Sequence, residues 1–294
     1  MFKKFIAASV LIALVAPASA QQNLDEVQIT TEVLAPGVAA MFGAGGNLAT
    51  SYGEDGTVLI DDDFAPMSDK ISIAIEQLGG NPSVAYLVNT HWHWDHTGGN
   101  ENFGNAGATI FAHENVRVRM STEQMRGENV VEASPKAALP VVTFERGVTL
   151  HLNGDTIDVI FLGGGHTDGD SIVRWREDNV VHMGDLYFNL GGWPYVDLKS
   201  GGDVTKLLFA LDTSLTMMND DTKVIPGHGP MSNAAELRAQ RDIIGEAVTR
   251  VRALKDVGMT LEQAQAEKPL ASFGRREAFV TEDSFVAAIW ASLD

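Results

Sequence analysis

Short apolar segments alternate with longer amphipathic ones along the chain, and this pattern predicts a mixture of strands and helices. Segments rich in apolar and β-branched side chains predict strands. These segments are 27–33, 58–60, 84–88, 108–112, 141–144, 148–152, 156–161, 172–175 and 180–183. Segments with apolar residues three or four positions apart predict helices. These segments are 66–78, 204–218 and 234–254, with another helix opening at 113–117 and shorter ones from 261 onward.

The predicted elements follow one another without a recognisable linker, which indicates a single α/β domain over residues 21–294. Two mixed sheets packed face to face, with helices outside, would bury the apolar faces of both kinds of element. The glycine-rich segment 41–47 predicts a hairpin. The polar segment 121–140 contains two prolines and predicts an insertion that borders a cleft.

The densest candidate chemistry directly follows the predicted strand 84–88. His91, His93, Asp95 and His96 fall within six residues there. Residues two apart in an extended segment point to the same side, so His91 and His93 can reach one metal ion together. Asp95 and His96 then point elsewhere, toward a second ion. Imidazole nitrogen and carboxylate oxygen suit zinc, and iron and manganese are alternatives.

Three downstream residues repeat one pattern, in which an apolar segment and glycine precede a single ligand-type side chain. They are His166, Asp185 and His228. Strand ends that converge on one edge of a sheet would produce this pattern. His151 and His182 lie inside predicted strands instead, which is more typical of packed or surface histidines than of ligands.

These motifs resemble those of the metallo-β-lactamase superfamily of metal-dependent hydrolases. The matching motifs are H-x-H-x-D-H at 91–96, G-H-T at 165–167, G-D at 184–185 and G-H at 227–228, in an order that matches over roughly 27–230. The resemblance implies a four-layer αβ/βα sandwich and a site for two Zn²⁺ ions. One ion would take His91, His93 and His166, and the other would take Asp95, His96 and His228. Asp185 would bridge the two ions.

The resemblance also implies roles for other residues near these ligands. A metal-bound hydroxide would attack the substrate, and Asp95 would orient it and carry a proton. An aspartate at 61 or 62 would support the metal loop. The loop 186–202 directly follows Asp185, and its Tyr187, Trp193 and Tyr195 are either a substrate-facing wall or aromatic packing. Both interpretations of these aromatic residues stay open.

Some features differ from the lactamases themselves. Well-known lactamases of this fold carry Cys or Ser at the position of Asp185, and aspartate there resembles the glyoxalase-II-type thioesterases, lactonases and phosphodiesterases. The basic residue that some lactamases place shortly afterwards is missing, because residues 186–189 read Leu-Tyr-Phe-Asn. A basic cluster typical of glutathione binding is missing as well, and the pair Arg275–Arg276 is interpreted as a surface pair.

The first twenty residues predict a secretory signal peptide. Lys3 and Lys4 precede the apolar segment 5–15, and Ala18-Ser19-Ala20 is typical of a cleavage site. The apolar segment is too short to span a bilayer. We therefore expect a mature chain that begins at Gln21, lies in the periplasm or outside the cell, and makes no membrane contact after cleavage.

The amino-acid composition excludes cysteine chemistry and argues against nucleic acid as a partner. The chain has no cysteine, which excludes disulfides, thiolate ligands and a cysteine nucleophile. Its formal charge of −18 disfavours nucleic acid as a partner. A small-molecule substrate remains, while the oligomeric state stays open.

The sequence therefore predicts an exported dinuclear hydrolase that cleaves an ester, lactone or lactam bond, with β-lactam hydrolysis among its expected activities. Three alternatives stay open. The first is a periplasmic lactonase, esterase or phosphodiesterase without a lactamase role. The second is a mononuclear-iron oxidoreductase that acts on persulfides, and the third is a non-catalytic zinc-binding protein.

Overall fold

The computed structural model describes residues 23–126, 129–277 and 279–293. The predicted signal peptide at 1–20 lies outside these residues. The strands are β1 Thr30–Ala35, β2 Val38–Phe42, β3 Leu48–Gly53, β4 Gly56–Ile60, β5 Val84–Val88, β6 Thr109–His113, β7 Gln124–Arg126, β8 Asn129–Val131, β9 Val142–Phe144, β10 Gly147–Leu152, β11 Asp155–Phe161, β12 Ser171–Trp175, β13 Val180–His182, β14 Lys223–Ile225 and β15 Ser232–Asn233. The helices are α1 Ser68–Gln77, α2 Trp94–Thr97, α3 Asn100–Asn105, α4 Glu114–Met120, α5 Val204–Thr216, α6 Ala234–Asp256, α7 Leu261–Ala266 and α8 Glu282–Ala291.

Two mixed sheets form the centre of the fold. The first has the strand order β1-β2-β3-β4-β5-β6-β9, antiparallel from β1 to β4 and parallel from β4 to β9. The second has the order β10-β11-β12-β13-β14-β15 and is antiparallel except between β13 and β14. Strands β7 and β8 form a separate hairpin within the predicted insertion.

Successive side chains of a strand point to opposite faces of its sheet, and this alternation lets each sheet pack on both sides. In β11, Ile157 and Val159 face the core between the two sheets, while Ile160 packs on the outer face. The core between the sheets joins side chains from both of them: Val38, Ala40, Val58, Ile60 and Val88 from the first, and Ile157, Val159, Val173, Trp175 and Ile225 from the second. Helix α1 covers the outer face of the first sheet, and helices α5, α6 and α8 cover that of the second. This is the predicted four-layer αβ/βα sandwich.

Several boundaries differ from the sequence prediction for local reasons. Helix α1 begins at Ser68 because Pro66 lies in a short 3-10 turn, Ala65–Met67, that precedes it. The first strand begins at Thr30, later than predicted, and ends at Ala35. The glycine-rich segment 41–47 connects antiparallel β2 and β3, so the hairpin prediction is confirmed. Within the described residues, we find no helix long and apolar enough to cross a membrane.

The ends of four strands bring the predicted ligands to one place. The segment after β5 carries the residues at 91–96, and the loop after β11 carries His166. Asp185 lies in a short 3-10 turn after β13, and His228 follows β14. Because β5 belongs to the first sheet and the other three strands to the second, the site lies where the two sheets meet.

Candidate metal centre

The first group of ligand-type side chains is His91, His93, His166 and Asp185. Each offers one atom, and these atoms lie within 4.8 Å of one another. His166 Nε2 lies 2.8 Å from His93 Nδ1, and His91 Nε2 lies 3.7 Å from Asp185 Oδ2. His91, His166 and Asp185 are buried, so the group lies at the bottom of the site.

The second group is Asp95, His96 and His228, whose ligand-type atoms also lie within 4.8 Å of one another. His96 Nε2 lies 3.3 Å from His228 Nε2, which in turn lies 3.4 Å from Asp95 Oδ2. Asp95 and His228 are partly exposed, so this group faces the solvent side of the site. All seven predicted ligands therefore come together in two groups.

Asp185 lies between the two groups. Its Oδ1 is 3.1 Å from His96 Nε2, and its Oδ2 is 3.4 Å from both His166 Nε2 and His228 Nε2. One carboxylate thus faces nitrogen atoms of both groups, which is the arrangement needed to bridge two cations.

The side chains fit a metal ion in both polarity and protonation. His91 Nε2 is buried and has no hydrogen-bond partner among the described residues. Such atoms are costly to bury unless something else binds them. Burial lowers the pKa of His91 well below its ordinary value and lowers that of His166 to about 4, despite the nearby Asp185 carboxylate. Both rings are therefore neutral near pH 7, which is the form that binds a metal.

The electrostatics of the second group differ from those of the first. Burial lowers the pKa of His228, but the charge of Asp185 and hydrogen bonds with Asp185 and Asp95 outweigh burial and raise it to about 9. Burial raises the pKa of Asp95, but His96 and His228 lower it to about 2. Without a metal, the second group is thus a network of ionised carboxylates and a protonated imidazole.

Asp61 fixes the loop that carries the first ligands. Its carboxylate accepts hydrogen bonds from the Thr90 amide at 2.7 Å and the Thr90 hydroxyl at 2.7 Å, and lies 2.8 Å from His96 Nδ1. Asp62 accepts instead from the Gly99 amide at 2.9 Å. Of the two candidates that the sequence left open, Asp61 is therefore the one in contact with a ligand side chain.

The hairpin between β2 and β3 packs directly on the second group. The Gly46 amide donates to the Asp95 carbonyl at 3.0 Å. A Cβ atom at Gly46 would lie 2.1 Å from His96 Cε1, so only glycine fits there without movement of the ring. The neighbouring Asp63 carboxylate accepts from the Ala44 amide at 2.8 Å and holds the hairpin in place.

The loop after Asp185 supports the first group through contacts that sequence reasoning missed. Asp197 Oδ2 lies 3.1 Å from His93 Nε2. The Tyr195 carbonyl accepts from His166 Nδ1 at 2.8 Å, and the Asp197 amide donates to the His166 carbonyl at 2.8 Å. Asp197 precedes a short 3-10 turn, Leu198–Ser200, and caps its first amides. An aspartate in such a position indicates a capping residue and does not point to a metal site.

Four of the seven ligand-type residues, His93, Asp95, Asp185 and His228, line a cleft of about 1090 Å³. Tyr195 lines this cleft, and its contact with substrate stays a prediction. Trp193 reaches the lining but is only 5% exposed, with its ring stacked on Phe285 at 4.8 Å. Tyr187 does not belong to the lining: it is buried, and its hydroxyl lies 2.9 Å from the Ser232 hydroxyl. The packing interpretation describes Tyr187 and most of Trp193.

The remaining histidines have structural surroundings. His182 Nε2 lies 3.0 Å from the Asn47 carbonyl in the core, and His151 is exposed on β10. His113 accepts from the Asn115 amide at the start of α4 and stacks on Phe161 at 3.8 Å. None of the three belongs to either ligand group.

Two further expectations near the cleft can be compared with the structure. The segment 121–140 does border the cleft, through Gln124, Met125 and Val131 among others. The interpretation of Arg275–Arg276 as a surface pair is wrong for Arg275, which is half-buried, donates to the Gly192 carbonyl and lies over the Trp193 ring. Arg276 is exposed at the edge of the cleft.

The sequence model of the metallo-beta-lactamase superfamily matches residues 48–230, well over half of the 294-residue chain. This chain belongs to the metallo-beta-lactamase superfamily. The matched region contains both ligand groups and all four strands that position them.

Curated relatives in this superfamily include different hydrolases. Hydroxyacylglutathione hydrolase GloC of Haemophilus influenzae is 29% identical over 172 residues, covering 55% of this chain and 76% of that protein. A hydroxyacylglutathione hydrolase of a Polaromonas species is 28% identical over 180 residues, covering 60% of each chain. Metallo-beta-lactamase type 2 of Bacteroides fragilis is 23% identical over 167 residues, covering 56% of this chain and 61% of that one. The chain thus spans about three fifths of the last two proteins.

Solved structures confirm the superfamily fold. A metallo-beta-lactamase from Pontibacter korlensis superposes with a TM-score of 0.62 at 21% identity, covering 74% of this chain and 99% of that one. The DIM-1 metallo-beta-lactamase superposes with a TM-score of 0.60 at 18% identity, covering 76% and 100%. Family membership and the metal-binding cluster together make the protein a metallo-hydrolase of this superfamily.

Proposed function

We propose that the protein is an exported, dinuclear hydrolase that cleaves an ester, lactone or lactam bond in a small acyl compound. The position of Asp185 carries this proposal, because its two oxygens face nitrogen atoms of both ligand groups at 3.1–3.4 Å. A protein that held one metal ion would need neither the second group nor a carboxylate between the two.

The seven ligand-type residues would hold two metal ions. His91, His93 and His166 would hold one ion, and Asp95, His96 and His228 would hold the other, with Asp185 shared. Two bound divalent ions, zinc first and iron or manganese as alternatives, would lower the pKa of water to about 7 and accept the charge of the leaving group.

Asp95 is the residue placed to move a proton. Its side chain is 24% exposed toward the cleft, whereas His96 beside it is fully buried. Asp95 Oδ2 lies 3.4 Å from His228 Nε2, at the cleft side of the second group, where the carboxylate can accept a proton from a reacting water and pass it to a leaving group.

The alternative functions require different numbers of metal ligands and different surroundings of the metal site. A mononuclear-iron oxidoreductase needs fewer ligands, so the close approach of Asp95, His96 and His228 argues for two ions. A zinc-storage protein does not need a large cleft above its ligands, which this protein has. Aspartate rather than Cys or Ser at position 185, and the lack of a basic residue at 186–189, favour esters and lactones over β-lactams as main substrates.

The proposal is tested by metal analysis joined to a substrate panel. Native mass spectrometry should show two transition-metal ions per chain, and the loaded protein should hydrolyse at least one member of a β-lactam, lactone, thioester and phosphodiester panel. One iron with no zinc would support the oxidoreductase alternative. Two ions with no hydrolysis anywhere in the panel would favour the metal-binding alternative.

Export is proposed on the signal-peptide pattern of residues 1–20. N-terminal sequencing of the secreted product should begin at Gln21. Retention of Met1 on the mature protein would contradict export by this route.

A further inference from the structure

Exposed apolar side chains gather around the mouth of the cleft. Fourteen large apolar side chains are exposed among the described residues, and six of them line this one cleft. The six are Trp94, Met125, Val131, Leu190, Leu198 and Phe279. Scattered exposed apolar residues are normal on a soluble protein, whereas a contiguous patch marks a binding surface.

The six side chains come from separate parts of the chain. Trp94 begins α2, Met125 and Val131 lie on the β7–β8 hairpin, and Leu190 and Leu198 lie on the loop after Asp185. Phe279 lies in the segment before α8. The fold therefore brings four independent segments together to form one apolar rim, so the rim is not a by-product of a single hydrophobic segment.

Aromatic contacts connect this rim to the ligand groups. The Tyr195 ring lies 6.3 Å from the His93 ring and 5.1 Å from the Phe279 ring, measured between centroids. On the other ligand group, Phe188 stacks on His228 at 5.3 Å. Aromatic rings thus lie against a ligand histidine of each group, and Tyr195 links the first group to Phe279 on the rim.

Two charged side chains of the cleft lining, Arg119 and Asp197, are already paired. Arg119 donates to both carboxylate oxygens of Asp168 at 2.7 Å. Asp197 is bound by His93 and by the Ser200 hydroxyl. Three further charged side chains of the lining, Glu132, Lys199 and Arg276, are exposed. A polar substrate arm that lay against the apolar side chains of the rim would lose its water without gaining partners, which is unfavourable.

We propose that the substrate carries a bulky apolar arm, an acyl chain of about six or more carbons or an aryl-acyl group of similar size, next to the bond that is cleaved. This inference rests on the proposed function and specifies its substrate class. The cleft, at about 1090 Å³, slightly exceeds the roughly 300–1,000 Å³ range of small-molecule sites. Because His93, Asp95, Asp185 and His228 line the same cleft, an arm bound on its walls places the adjoining bond at the ligand groups.

A chain-length series tests the proposal. The two-metal enzyme is given p-nitrophenyl esters from acetate to decanoate, each below its micelle concentration. Burial of a methylene contributes about 0.8 kcal/mol, which corresponds to an increase in kcat/KM of roughly two- to fourfold per added methylene. The increase should level off when the cleft is full.

Substitutions of exposed phenylalanines supply the matched control. Phe279 is 82% exposed on the rim, and Phe209 is 62% exposed on α5 away from the cleft. Phe279→Ala should lower kcat/KM for octanoate by about three- to tenfold and leave acetate within twofold. Phe209→Ala should leave the whole series unchanged. A loss for acetate as large as that for octanoate in Phe279→Ala would contradict a role in binding the arm.

A second measurement separates this inference from the proposed function. Calorimetric titration with decanoate should show binding with a negative heat-capacity change, weakened by Phe279→Ala, whether or not any ester is turned over. Active enzyme with a flat chain-length series overturns the apolar arm and leaves the hydrolase intact. Decanoate binding without turnover of any ester contradicts the proposed function instead. Phe279-dependent pelleting with phosphatidylcholine vesicles, together with a flat series, would show that the rim docks on membranes and overturn the proposal.

Discussion

Asp197 Oδ2 lies 3.1 Å from Nε2 of His93, while the other ring nitrogen, Nδ1, faces the first ligand group. The same carboxylate oxygen accepts from the Ser200 hydroxyl at 2.5 Å, so it is itself held in place. A hydrogen bond to the outer nitrogen of a ligand histidine sets its tautomer and ring orientation. Asp197 is therefore a positioning residue for His93.

Removal of the Asp197 carboxylate should weaken metal binding at the first group. Asp197→Ala is expected to lower affinity about 10- to 100-fold, the usual effect of losing such a partner. Asp197→Asn keeps an acceptor for His93 and should lose less. Competition with a chelator measures the affinity. Asp212→Ala, which removes a surface partner of Arg241, is the control and should have no effect. Equal affinities in all three variants would contradict the positioning role.

Gly46 should tolerate no side chain, because a Cβ atom there would lie 2.1 Å from His96 Cε1. Gly46→Ala must push the His96 ring out of place, and overpacking of this kind costs about 1–3 kcal/mol. We expect a lower free energy of unfolding in urea and loss of metal from the second group. Gly245→Ala is the control: it lies within α6 with room for a methyl group, and alanine there should be neutral or stabilise by up to about 1 kcal/mol.

Metal content should depend on pH differently in the two groups. A histidine must lose its proton before it binds a metal, so affinity falls as pH drops below the pKa of the metal-free ligand. The pKa of His228 is raised to about 9, while that of His166 is lowered to about 4. As pH falls from 9 to 6, the second group should therefore release its ion first. Dialysis at each pH followed by elemental analysis should show two ions per chain at high pH and a decline toward one. Parallel loss of both ions would contradict this order.

The ligand residues could be predicted from the sequence because four of them follow one strand directly and each of the other three follows an apolar segment and glycine. That rule needs only nearby residues, and it found all seven side chains of both ligand groups. The same rule does not identify Asp197, because the role of Asp197 depends on a contact with His93, which is 104 positions away in the sequence. Asp197 itself lies in an irregular loop. For the same reason the sequence could not separate Tyr195, which lines the cleft, from Tyr187, which is buried: a loop without periodicity does not reveal which side a residue faces.

Asp95 offers the test that separates catalysis from metal binding. Its carboxylate is both a ligand-type group of the second cluster and the partly exposed group proposed to carry the proton. Asp95→Asn keeps the shape and one oxygen for the metal but removes the charge and most of the basicity. If Asp95 transfers a proton in the transition state, kcat should fall by roughly 10²- to 10⁴-fold.

Metal content must be measured on the same samples, because a lost ion would also lower kcat. Asp185→Asn is the comparison: it should weaken the link between the two groups and act mainly through metal loss. An Asp95→Asn enzyme that keeps both ions yet loses less than about fivefold in kcat, against the expected range, would show that Asp95 only holds metal. The proton would then have to reach the leaving group through water in the cleft or through another residue.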